Sequence, residues 1–277
     1  SARGFMKIAQ YYDEGYIRLG LIQDDLLMPL EFQGDMIDFI KSNPKGKPGS
    51  NPQSLDMVTF APPVNSPSKI VAIGLNYRDH ITESKGEVPE HPIIFAKFPS
   101  SLIGHRAAIT WDSDLTKKVD FEAELAVVIG KKIHRCHKTE AMEAVFGYTC
   151  ANDVSARDLQ FGDGQWVRGK SLDTFCPIGP WIVTPEEMPD PQSLDIRCLL
   201  NGQLMQDSNT RMMIFTLPEL IVFISENITL LPGDIILTGT PHGVGAFREP
   251  SVYLKDGDEI VVEIESIGRL VNICNVV

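Results

Sequence analysis

Eight apolar, β-branched runs separated by Gly and Pro constrain this chain more than any other feature. They are KIVAIGLNY, PIIFAKF, FEAELAVVIG, IGPWIV, LDIRCLLNG, DIILTGT, EIVVEIESIG and LVNIC, all downstream of Ser68. Such runs read as strands. Only two segments among them carry a helical pattern: TEAMEAVFG from Thr139, and the stretch after Thr216, where Thr216 and Glu219 have the spacing of a capping box. A doubly wound sheet needs helices alternating with strands, so the pattern points instead to an α+β, β-rich domain over residues 68–277. Asn201-Gly202 between two runs predicts a tight hairpin.

Upstream, MKIAQYY and IRLGLIQ flank Asp13-Glu14-Gly15-Tyr16 and predict two strands around a turn, followed by a helix-like segment ending near Ser42. Asn43 to Pro52 holds three prolines and two glycines, which marks a loop. Residues 6–67 therefore read as a small β-rich N-terminal lobe and linker. Ser1 to Phe5, ahead of Met6, reads as an appended scar.

Charge removes several functions. With 25 Lys and Arg against 37 Asp and Glu, the net charge is −12, and a surface of that sign is repelled by nucleic acid. No run approaches the roughly 20 apolar residues of a membrane span, and no basic segment leads into an apolar one near the N-terminus. The five cysteines, Cys136, Cys150, Cys176, Cys198 and Cys274, are odd in number and never form C-x-x-C. A reduced, cytoplasmic setting without a disulfide framework is expected.

Two motifs only resemble chemistry. Gly164 to Ser171 satisfies the P-loop pattern, but a phosphate loop needs a buried strand before it and a helix after it. Polar Gln160-Phe161-Gly162-Asp163 precedes this one, and Pro177, Gly179 and Pro180 follow. A nucleotide-binding protein built on it would be stabilised by ATP. His134-Arg135-Cys136-His137 offers soft ligands, but no second cluster completes a tetrahedral zinc site, so it reads as a polar turn before a helix.

The stronger signal is acidic. On a strand, Glu122 and Glu124 project from one face. Two adjacent carboxylates in an apolar setting repel each other unless a hard cation such as Mg²⁺, Mn²⁺ or Ca²⁺ lies between them. A solvent-facing edge strand is the alternative. Asp153, at the end of the apolar strand before Val154-Ser155-Ala156-Arg157, supplies a third oxygen ligand, or else caps the turn that follows. If the segment after Tyr77 is helical, His80 and Glu83 stand one turn apart, and a carboxylate on one imidazole nitrogen makes the other a general base. Gly86 and Pro89 nearby suggest a mobile lid. Lys170 provides a cation, and the glycine-rich turn after Leu237, with Thr240, offers an anion-binding nest.

In order, G-L-N-Y-R-D-H-x-x-E, D-F-E-A-E-L-A-V-V-I-G, G-Y-T-C-A-N-D-V-S-A-R-D-L-Q, R-G-K-S-L-D-T-F-C-P-I-G-P-W and L-x-P-G-D-I-I-L-T-G-T-P-x-G-V-G resemble the fumarylacetoacetate hydrolase family from about Ser68 to the C-terminus. The resemblance implies a mixed β-sandwich roll and a Mg²⁺ or Mn²⁺ held by Glu122, Glu124 and Asp153. It implies a His80–Glu83 dyad on a lid that orders with substrate, and Lys170 stabilising developing negative charge. Gly239 and Thr240 would lie near the substrate carboxylate, with Arg157 and Gln160 lining the pocket and Tyr77 and Arg78 beside the dyad. A homodimer acting on a small anionic oxo acid is implied too. The expected activity is metal-dependent hydrolysis of a carbon–carbon bond in a 2,4-diketo acid of acylpyruvate or fumarylacetoacetate type. The alternative is an oxaloacetate decarboxylase, or a 2-hydroxyhepta-2,4-diene-1,7-dioate isomerase, using the same metal-stabilised enolate. A metal-binding protein without catalysis is disfavoured, because every expected ligand and dyad residue type is present.

Overall fold

The computed structural model describes residues 6–188 and 190–277, so the scar reading of Ser1 to Phe5 lies outside the described residues. The strands expected from the apolar runs form, and they form two large sheets. In the larger, the backbone of the sheet runs Gln53–Ser54, Leu26–Pro29, Tyr16–Gln23, Lys7–Asp13, Cys176–Val183, Val145–Asn152, Ala123–Ile129, Ile235–Leu237, Ile70–Gly74 and Ile93–Lys97. The second runs Gln203–Asn209, Asp195–Leu200, Glu259–Ile264, Gly268–Val276 and Ala108–Trp111. Pairing is mostly antiparallel, with parallel neighbours at Ile235–Leu237 beside Ile70–Gly74 and at Gly268–Val276 beside Ala108–Trp111. The fold is α+β and β-rich, as its apolar runs predict.

Layering explains why Leu125-Ala126-Val127-Val128-Ile129 is apolar without alternation. Successive side chains point to opposite faces of a strand. Leu125, Val127 and Ile129 pack with Ile196, Cys198, Val262 and Leu270 of the second sheet. Ala126 and Val128 pack on the other face with Ile8, Leu19, Phe39 and Ile178. A strand buried on both sides has no polar face to show.

That second core joins the first sixty residues to the rest. Lys7–Asp13 pairs antiparallel with Cys176–Val183, Lys7 opposite Val183, so the main sheet continues through residues 6–67. The helix-like stretch before Ser42 differs from expectation: Leu26–Pro29 is a third strand, and only Met36–Ser42 is helical, started by an Asp35–Asp38 capping box. The Thr216–Glu219 box forms and opens the helix Leu217–Ser225. Asn201-Gly202 turns the hairpin with positive φ at both residues, 50° and 79°, as a two-residue turn of that hand requires. Arg157–Asp163 is a short helix where the sequence predicts a polar turn after Asp153, and Val167–Lys170 is a second one. Two glycines obscure their periodicity, and a buried Arg157–Gln160 contact stabilises the first. No described helix is long and apolar enough to cross a membrane, and all five cysteines are free thiols.

Candidate active site

The expected single strand from Val119 to Ile129 is broken, and the break builds the site. Val119–Asp120 leaves the main sheet to pair with Ser155–Ala156, and the regular strand resumes at Ala123. Side chains satisfy the backbone in between. Glu122 N donates to Asn152 Oδ1 at 3.0 Å, Ala123 N donates to Gln206 Oε1 at 2.9 Å, and Asp153 N donates to Glu122 O at 2.9 Å. That last bond ties Glu122 to the end of the Val145–Asn152 strand, where Asp153 follows. Carboxylate oxygens of Glu122, Glu124 and Asp153 consequently lie within 4.8 Å of one another, all three residues buried.

Cations surround this cluster. Lys170 Nζ bridges Glu122 Oε2 at 3.0 Å and Asp153 Oδ2 at 2.8 Å. Lys97 Nζ donates to Asp153 Oδ1 at 2.6 Å and to Val154 O at 3.0 Å, and its side chain is fully buried. Arg157 Nη1 lies 2.8 Å from Glu122 Oε1, and its Nε donates to Asp120 Oδ2 at 3.0 Å. The carboxyls then separate in acidity. Burial, with Asp153 and Glu122 adding to it, pushes Glu124 well above the usual range, although Gly239 N donates to its Oε1 at 2.6 Å. Burial acts the same way on Asp153, but Lys170 and Lys97 outweigh it and hold that carboxyl low. Burial would lower the Lys170 ammonium, yet Asp153 and Glu122 raise it. An all-oxygen, anionic donor set in which one carboxyl is disfavoured as an anion fits a hard divalent cation.

The dyad faces the same space. Arg78–Ser84 is helical, and His80 Nδ1 lies 2.8 Å from Glu83 Oε1. Glu83 Oε2 accepts from Gly243 N at 2.8 Å, which fixes the carboxylate in turn. A cavity of about 230 Å³ is lined by His80, Glu122, Arg157, Gln160, Lys170 and Thr240, with an apolar wall besides. Arg157 Nη2 is buried without a hydrogen-bond partner among the described residues. It is a donor unspent on protein, beside a cavity.

Other expected site residues are placed differently. Tyr77 is fully buried in the core and its hydroxyl has no partner among the described residues. Arg78 is exposed and lines an outer depression with Asp79 and His242. Gly239 gives its amide to Glu124. Thr240 lines the cavity, but its hydroxyl donates to Ala123 O and accepts from Gln206 Nε2, both at 2.9 Å. Of the two look-alikes, His137 begins the helix Lys138–Glu143 in a capping box with Glu140. The Gly164–Ser171 segment follows a helix rather than a strand. Asp120 and Lys97 were missed. The only signal for either was a charge at the edge of an apolar run.

Residues 69–275 match the family model described as fumarylacetoacetate (FAA) hydrolase, C-terminal. The mitochondrial oxaloacetate tautomerase Fahd2a of Rattus norvegicus is 50% identical over 216 residues, 78% of this chain and 69% of that protein. The mitochondrial oxaloacetate tautomerase FAHD2A of Homo sapiens is 49% identical over 217 residues, with the same shares of each. Among solved structures, a fumarylacetoacetate hydrolase of Exiguobacterium antarcticum superposes with a TM-score of 0.90 at 36% identity, covering 98% of this chain and 100% of that one. A 2-hydroxyhepta-2,4-diene-1,7-dioate isomerase of Mycobacterium marinum gives 0.83 at 33% identity, covering 98% of each.

Proposed function

Because the chain belongs to the fumarylacetoacetate hydrolase family, we propose that it catalyses keto–enol interconversion of a short 2-oxo diacid of the oxaloacetate type. One observation carries the reading: a histidine backed by a carboxylate shares a small cavity with Glu122 of the carboxylate cluster and with an arginine that has an unspent donor. The oxaloacetate tautomerases near 50% identity support tautomerisation over the hydrolysis that the motifs alone favoured.

Glu122, Glu124 and Asp153 would hold Mg²⁺ or Mn²⁺, which when bound supplies Lewis-acid polarisation of the substrate's carboxylate and keto oxygens. Arg157 holds a substrate carboxylate through its free Nη2. Glu83 fixes the His80 tautomer, leaving Nε2 to carry the proton. His80 removes a proton from the carbon beside the ketone, the C–H electrons become the enol double bond, and the same proton returns to the former keto oxygen. Lys170, held between Glu122 and Asp153, keeps positive charge beside the oxygen on which negative charge develops.

The test is enol absorbance of oxaloacetate with Mg²⁺, alongside carbon dioxide release and loss of acylpyruvate. His80→Ala is expected to lower kcat/KM for enol formation by about 10²–10⁴-fold, the usual contribution of a positioned acid–base group. Acylpyruvate cleavage with no acceleration of enolisation would return the reading to hydrolysis. A homodimer remains part of the proposal, and sedimentation velocity tests it.

A further inference from the structure

Within the Gly164–Ser171 segment the family reading gives Lys170 a role and leaves Trp166 without one, and the structure assigns one to this tryptophan. Trp166 lines the candidate cavity and is half-buried. Its ring meets Phe95 edge to face, centroids 5.2 Å apart at 70°. On another side it lies over Gly74: a Cβ there would stand 2.7 Å from one ring carbon and 3.0 Å from the next. Position 74 carries no side chain, so the ring has a slot, and Phe95 holds it there. Phe161 and Phe247 also line the cavity but are 57% and 42% exposed, so they form its rim.

Depth and chemistry run together. Glu122, Arg157, Gln160 and Lys170 are all under 10% exposed and form the floor. Among the described lining residues, Arg157 and Lys170 are the permanent cations, and both act at that floor. A four-carbon diacid keeps both carboxylates near them. A longer diacid, anchored by its oxo-acid end, carries its far carboxylate up against the indole, where no lining cation meets it. Burying a charge on an apolar wall without a partner is unfavourable.

We infer that Trp166 sets the upper limit on substrate length, selecting four-carbon over seven-carbon 2-oxo diacids. The inference rests on the proposed function for its anchoring of the oxo-acid end at the floor.

The experiment is calorimetric binding of 2-oxo diacids of four to seven carbons in Mg²⁺ buffer, to wild type, Trp166→Ala and Trp166→Phe. In wild type, Kd is expected to rise at least about tenfold from the shortest to the longest, the order of discrimination a shaped pocket gives. Trp166→Ala should reduce that ratio to about threefold or less, and Trp166→Phe should reduce it partly. A flat series in wild type, or a ratio unchanged in the variants, overturns the inference. If the alanine variant does not fold, the phenylalanine variant decides alone. Length-dependent binding without oxaloacetate enolisation would sink the proposed reaction and leave the length limit standing.

Discussion

Asp120 joins the two walls of the cavity. Its Oδ2 accepts from Arg157 Nε at 3.0 Å and Ala246 N at 2.9 Å, while Oδ1 accepts from Gly245 N and Phe121 N, both at 2.8 Å. One buried carboxylate thus fixes the arginine and the turn that leads to Phe247, whose ring lies 5.8 Å from His80. Gly245 has to be glycine here, since a Cβ would fall 1.7 Å from Val252 O. Asp120→Asn places an amide donor against other donors and leaves the guanidinium short of one buried counter-charge. Losing one partner of a buried pair costs about 3–5 kcal/mol. Urea denaturation should show a loss of that order, with a higher KM for oxaloacetate, and an unchanged midpoint would refute the clamp. Glu122 with Glu124, and His80 with Glu83, were legible because strand and helix spacing pairs each couple within a few residues, and Asp153 because it ends an apolar strand. Lys97 was not, because the carboxylate that justifies burying it lies 56 positions away.

At the scale of elements, the helix Arg78–Ser84 is held down by its acids. Asp79 accepts from Ser208 Oγ at 2.6 Å and from His242 N at 3.2 Å, while Glu83 accepts from Gly243 N. This helix has one apolar anchor of note, Ile81, so two carboxylates contribute much of its attachment. Asp79→Ala removes two acceptors, each worth about 0.5–1.5 kcal/mol. Amide exchange over residues 78–84 should quicken and kcat/KM should fall, because His80 then spends less time in place. Exchange identical to wild type would show that the acids are incidental. The strands were readable since β-branched runs and turn residues are local signals. The break at Phe121-Glu122 was not, because Asn152 and Gln206, which accept from the amides there, come from other strands.

On the scale of the whole molecule, His105 reports on the closure of the sandwich. Its ring packs edge to face on Phe60, at 5.2 Å, and its Nδ1 accepts from Val271 N at 3.0 Å, linking the first sixty residues to the last strand. Burial, with Arg106 adding to it, lowers this imidazole from 6.5 to about 4. The unfolded chain therefore binds the proton more readily, and the contribution is complete above pH 6.5 and lost as pH falls through 4. A shift of that size is worth on the order of 3 kcal/mol. His105→Asn should flatten the fall in denaturation midpoint across that window, and a slope like that of wild type would assign the acid lability elsewhere. The surplus of acid behind the net charge of −12 leaves the interior differently balanced: Lys97, Arg157 and Lys170 stand among Asp120, Glu122, Glu124 and Asp153.

The pairing of Lys7 with Val183 also sets a schedule for synthesis. Lys7–Asp13 leaves the ribosome with its sheet neighbour 176 residues behind it, a wait of roughly 9–35 s at about 5–20 residues per second. Until then Tyr16–Gln23 covers one edge of the strand, and along the other only Tyr11 and Tyr12 have a partner, in Thr59–Phe60. Arrested nascent chains ending before residue 176 should therefore leave that edge open to protease or to a chaperone. Chains long enough to expose residue 183 beyond the exit tunnel should protect it. For this protein, an unpaired sheet edge stays exposed to aggregation until Cys176–Val183 follows it out.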